Sequence, residues 1–189
     1  MPASVIPVTG INEGFVGCIS NEGYSLRTPR PVTPTDTLNI AYGESLVLIA
    51  ATNTYSSVAQ FILNGGTLTS ATPVGVAVAN TATNGNFPLS GTLGANTPGG
   101  YFAPGQVCDG LTQGTIDVYC RVGTPAGAGV GVYIRTALNG SIPAGVVGGF
   151  EAQADGSNTV LMTNLVWKTG KFVTANGVAQ LTVLSRQIP

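Results

Sequence analysis

A chain of 189 residues with a net charge of −1, no histidine and only 8 % charged residues is long enough to bury a substantial core, about 70 % of the unfolded surface for one compact domain. Seven lysines and arginines offer no basic footprint for nucleic acid, and no apolar run approaches the roughly 18 residues of a membrane span. Cys18, Cys108 and Cys120 lack CxxC spacing, which signals neither a zinc site nor a complete disulfide framework.

The positive mean hydropathy of +0.32 is the opposite of the low-hydropathy, high-charge balance of disordered chains. With 27 glycines and 12 prolines the composition suits short strands and tight turns. A surface this poor in charge is a solubility risk for a free monomer, so part of it is expected to lie under other protein. The first residues show neither the charged nor the apolar region of a secretory signal, which favours cytosolic synthesis.

Residues 1–37 read as an extended arm. Pro29, Pro31 and Pro34 fix φ and remove backbone donors, so Thr28 to Pro34 is expected to run extended or polyproline-like across a neighbouring surface, or back over its own domain. Residues 38–189 read as one β domain. Leu38–Tyr42 and Ser45–Ala50 are strand candidates, the second apolar on both faces and so expected at the centre of a sheet. Val58, Phe61 and Ile62 have helical spacing before Asn64-Gly65-Gly66, which makes this the best place for a short helix. Val74–Ala79 is a further strand. Residues 80–105, rich in Gly, Asn, Thr and Pro, form a long loop or lobe whose Phe87, Leu89, Tyr101 and Phe102 pack on something. That loop has no Lys or Arg, so it is no phosphate cradle.

The clearest pattern spans Thr115–Thr136. Ile116, Val118, Cys120 and Val122 alternate with polar or amphipathic residues, and Val130, Val132 and Ile134 repeat the alternation after a Gly/Pro-rich turn. A hairpin or bulged return strand follows, with Asp117 and Arg135 as a cross-strand pair on the outer face. Cys120 falls on the apolar side, as a small buried hydrophobe. Later strands are read at Phe150, Val160–Trp167 and Val178–Leu184, with Asp155-Gly156 and Asn176-Gly177 as turns and Ala179, Leu181 and Val183 as one apolar face. The whole is all-β: a β-sandwich or partly open β-barrel of short antiparallel strands with an extended N-terminal arm and a long Gly/Asn/Pro-rich loop.

Chemistry is scarce. Without histidine there is no ordinary general base. The eight carboxylates are Glu13, Glu22, Asp36, Glu44, Asp109, Asp117, Glu151 and Asp155. Asp109 and Asp155 precede glycine in turn-like contexts and Asp117 has a candidate partner, so turn and surface roles outweigh a glycosidase pair. No GxSxG or SxxK pattern occurs. The reading is therefore no enzyme, no catalytic residue, no metal and no cofactor. Glycan binding through exposed Trp167, Tyr101, Tyr119 or Tyr133 is the rival, although Trp167 at the end of an apolar strand belongs more often to a core. A fibre or tail subunit is a third reading.

Gly75-Val76-Ala77-Val78, Gly114–Cys120, Gly129-Val130-Gly131-Val132-Tyr133-Ile134, Val147–Glu151 and Trp167–Lys171 through Asn176–Leu181 follow in an order that resembles the structural cement (decoration) proteins of tailed-phage capsids. The resemblance covers roughly residues 70–185; the first 37 residues and the 80–105 loop look longer than the family pattern. It implies a non-enzymatic virion protein, made in the host cytoplasm, that binds the exterior of an assembled head, contacts the phage major capsid protein, bridges neighbouring capsid subunits and forms a homo-oligomer, dimer or trimer. Aromatics and Arg dominate interface hot spots. The contact anchors expected in the arm and loop are Phe15, Tyr24, Arg27, Arg30, Tyr101 and Phe102.

Overall fold

The computed structural model describes residues 16–19, 24–79, 100–168 and 177–184. Phe15, Phe87, Leu89, most of the 80–105 loop and the Asn176 half of the second turn lie outside them. Their regular elements are nearly all strands, as the composition leads one to expect.

One long strand, β7 (Val107–Val122), organises the chain. Its second half belongs to a closed five-strand barrel with β8 (Gly131–Arg135), β9 (Phe150–Glu151), β10 (Thr159–Trp167) and β11 (Gly177–Val183). The pairings run β7–β11, β11–β10, β10–β8, β8–β9 and back to β7, with only β9–β7 parallel. Ile116, Val118 and Cys120 alternate inward from β7 and meet Ala179, Leu181 and Val183 of β11, Val132 and Ile134 of β8, and Trp167. Closure removes the free strand edges that a flat sheet of this composition would expose to aggregation.

The first half of β7 carries a second layer outside the barrel. β1 (Leu26–Pro31) lies antiparallel along it, and β5 (Val74–Ala77) also bonds to it. Next come β3 (Ser45–Ile49) and β4 (Thr54–Ser57), so β3 sits between two strands, as its two-faced apolar sequence predicts. Val32, just past β1, returns to β4 through a parallel bridge to Tyr55. This ring encloses a second core of Val32, Ile40, Tyr42, Leu46, Tyr55, Ala77, Phe102 and Cys108. Alternation divides the layer: Leu46 and Ala77 face this core, while Val47 and Val76 face the barrel side. The Tyr55 ring packs against Gly110, where an added Cβ would come within 2.8 Å of it. A short ribbon, β2 (Ile40–Ala41) with β6 (Tyr101–Phe102), covers the second core.

The expected helix is α1 (Val58–Leu63). Its start is set by Ser57, whose Oγ accepts the Gln60 amide at 3.1 Å, and Gly65 at φ +83° turns the chain away after it. The buried Gln60 side chain accepts the amides of Thr37 and Leu38, at 3.1 and 2.9 Å, which fastens the chain between β1 and β2.

Several expectations are corrected. β7 and β8 do not form a hairpin: the two-residue β9 inserts between them, parallel to β7 and antiparallel to β8. Asp117 and Arg135 consequently do not pair. Arg135 is fully buried and meets Glu151 and Asp155, because a guanidinium taken out of water needs carboxylates beside it. Asp117 is also buried rather than on a wet face, and burial raises its carboxyl above the usual range. Asp109, expected in a turn, lies within β7 and pairs with Pro29.

Candidate functional site

The anchors expected from sequence separate into three groups. Tyr24 is 73 % exposed at the head of β1. Arg27 is exposed on β1 together with Pro29 and Pro31, all on one face by strand alternation. Arg30 turns to the other face, with its guanidinium 6.0 Å from the centre of the Tyr55 ring. Tyr101 is at the surface, whereas Phe102 is 3 % exposed and meets Tyr42 edge-on at 5.2 Å. Phe15 lies outside the described residues.

Sequence reasoning missed Val107, which is 63 % exposed and sits directly opposite Pro31. The strip of Arg27, Pro29, Pro31 and Val107 is thus an apolar ridge with one cation, and Tyr24 lies exposed beyond its end. Its backbone chemistry is unusual. Val32 donates to Gln106 O at 2.8 Å and accepts from Gly105 N at 3.0 Å, so the even positions of β1 face β7. Pro29 and Pro31 therefore turn their missing N–H groups to the edge away from β7, the edge on which Thr33, just beyond, donates to Tyr55 O of β4 at 2.8 Å. That edge accepts hydrogen bonds but lacks the regular donors strand addition needs, so side chains must do the contacting.

A concave feature lies between the β2–β3 turn, β7 and the segment before β9. It is a cleft of about 150 Å³ lined by Ala41, Tyr42, Glu44, Tyr119, Arg121 and residues 146–150. Arg121 stacks over Tyr119 at 4.8 Å. Glu44 receives the Ala41 amide on Oε2 at 2.7 Å. Burial pushes its carboxyl up to about 7, against the opposing pulls of that amide and of Arg121.

Asp155 and Glu151 are structural. Asp155 accepts from Arg135 Nη1 at 2.7 Å and from Asn139 Nδ2 at 3.0 Å, and these bonds hold its carboxyl below the usual range. Together with Glu151 it pins the loop after β8. Trp167 is fully buried in the barrel and presents no exposed face to a sugar. Cys108 and Cys120 are buried free thiols, both pushed up by burial. Among the described residues no cluster of His, Cys, Asp or Glu is arranged to hold a metal ion.

Against this geometry, the family model described as structural cement protein (E217 gp24/Pam3 gp6) matches residues 6–184. The chain belongs to the structural cement protein family of phages. The match includes both the β1 layer and the barrel, so the exposed ridge belongs to the cement protein itself and not to an unrelated addition. A chain from the structure titled "The capsid of Myoviridae Phage XM1" has a similar fold, with a TM-score of 0.59 over 99 % of this chain and 100 % of that one, at 11 % identity. No curated protein matches the cement protein's sequence.

Proposed function

We propose that the cement protein binds the outer surface of an assembled phage head and bridges neighbouring subunits of its major capsid protein, without catalysing a reaction. The observation that carries this reading is the ridge of Arg27, Pro29, Pro31 and Val107, with exposed Tyr24 at the head of the strand, on an edge where the prolines lack donors. In a protein of the cement family, an exposed aromatic, an Arg and rigid apolar side chains on a sheet margin suit a side-chain contact. The low charge content limits the desolvation cost when such a face is covered. Proline on both sides of Arg30 lowers the entropy lost on docking.

Shell reinforcement then needs no tight single contact. Each copy spans two subunits, and many copies acting together raise the free energy needed to separate them. Tyr101, on the ribbon over the second core, is a further contact at the border of the 80–99 segment. Phe102 supports it from below. The protein acts as a dimer or trimer on the virion exterior.

Image reconstruction of heads incubated with the purified protein tests the reading. Extra density is expected outside the shell, over junctions between capsid subunits, with the β1 edge facing the shell. Density confined to the interior, or none at saturating protein, would sink it.

A further inference from the structure

We propose that the cleft beside Arg121 is a receptor for one carboxylate side chain of a neighbouring protein, held by the Arg121 guanidinium. The proposal rests on the shell-binding reading only for the source of that carboxylate.

The site is built rather than incidental. Its floor is tied down by Ser45 Oγ, which donates to Gly148 O at 2.6 Å, and by the Gly148 and Gly149 amides, bonded to Arg135 O at 2.9 Å and Val146 O at 2.8 Å. Its rim is held by the Gly43 amide on Ala77 O at 2.8 Å and the Ala77 amide on Glu44 O at 2.9 Å. Arg121 is only partly exposed, yet its guanidinium makes no hydrogen bond or ion pair among the described residues. With its Cζ 4.8 Å from the centre of the Tyr119 ring, the guanidinium keeps its donors for an incoming group, and a carboxylate can take two of them in parallel. A volume near 150 Å³ admits one side chain and no secondary-structure element. Ala41, Val146, Val147 and Phe150 line it for an aliphatic stem, which favours Glu or Asp over an inorganic anion.

Glu44 decides the sign of the ligand. A cation entering the cleft is repelled by the Arg121 guanidinium. A carboxylate meets Glu44, which discharges by taking up a proton close to neutrality and then has an O–H to donate to the newcomer. The other titratable groups around it are the phenols of Tyr42 and Tyr119, which line the cleft, and the Cys108 thiol, which burial keeps protonated. Binding is therefore coupled to proton uptake, and affinity falls as the pH rises through 7.

The test uses the intact chain with 15N-labelled arginine, of which there are five. N-acetylglutamic acid α-amide is titrated at pH 6 and pH 8, with N-acetylglutamine amide as control. A saturable shift of the Arg121 Nε–Hε signal is expected, several-fold tighter at pH 6 than at pH 8 and absent with the glutamine compound. Glu44→Gln should remove the pH dependence. Arg121→Gln, confirmed folded by an unchanged melting temperature, should abolish the response of Tyr119 ring signals. No saturable shift at either pH, or equal binding of the two compounds, overturns the proposal. Head binding by the same sample separates the two readings: heads bound without a glutamate response overturns the receptor alone, and a response without head binding supports the receptor and removes the shell as its partner.

Discussion

The Arg135 guanidinium and the Glu151 carboxylate are both fully buried and meet through two parallel hydrogen bonds, Nε to Oε1 and Nη2 to Oε2, the latter at 2.9 Å. Asp155 takes the remaining Nη1, so one side chain of β8 ties down β9 and the chain just before the 3-10 turn at Gly156–Asn158. Arg135→Met leaves Glu151 buried without its counter-charge, a loss of about 3–5 kcal/mol. Urea unfolding should show a lower midpoint at an unchanged slope. The double change Arg135→Met with Glu151→Gln should recover part of that loss.

β1 is expected to remain single because of its prolines. Replacing Pro29 and Pro31 with valine restores two amides on the edge away from β7 and raises strand propensity. The double variant should form dimers or larger species by light scattering at concentrations where the parent does not. If it behaves as the parent does, the edge is protected by something other than proline.

Gly43 is where the N-terminal segment is held against the domain. It sits at φ +71°, and a Cβ there would lie 2.2 Å from Val16 Cγ1 and 2.9 Å from the Gly17 amide. Gly17 and Cys18 are backbone-bonded to Asp117 at 2.7 and 3.0 Å. Gly43→Ala should therefore cost roughly 1–3 kcal/mol in backbone strain and push residues 16–19 off β7. Hydrogen exchange would report this as faster exchange at the Gly17 and Asp117 amides with little change inside the barrel.

Glu44 gives stability a pH dependence of defined sign. Its folded carboxyl titrates at about 7 instead of its ordinary 4.5, so between those values the folded state binds more protons than the unfolded chain. The contribution is fully present below the ordinary value and is lost as pH rises through 7. Glu44→Gln, neutral at every pH, should melt close to the parent at pH 4.5 and a few degrees above it at pH 8. A parent more stable at pH 8 than its Gln variant would show that Glu44 is held as an anion.

Much of the architecture was legible because strand alternation survives in the sequence. Ile116, Val118, Cys120 and Val122, and again Ala179, Leu181 and Val183, are inward residues in both the pattern and the fold. Ser57 followed by Val58, Phe61 and Ile62 marks the one α-helix among the described residues. The first half of β7 was hidden because Asp109, Gly110 and Gly114 look like a loop. Gly110 is there to admit the Tyr55 ring, which is 55 positions away in sequence. Phe150–Glu151 is too short to carry a period, and without it β7 and β8 look like neighbours. Arg135 defeats alternation outright, since ion pairing and not polarity decides where it points. The Glu44–Arg121 cleft is assembled from three separate stretches, none of which carries a motif. Val107 gained meaning only once Pro31 was seen opposite it.

The most direct measurement is the disruption temperature of phage heads assembled without the cement protein, followed by light scattering with parent or variant added back. The parent should bind and raise that temperature. A Tyr24→Ala, Arg27→Ala, Val107→Ser triple variant, folded as judged by its own melting curve, should bind at least tenfold more weakly and leave the heads near their undecorated value. Heads that are no more robust with the parent bound, or equally robust with the triple variant, would contradict the account.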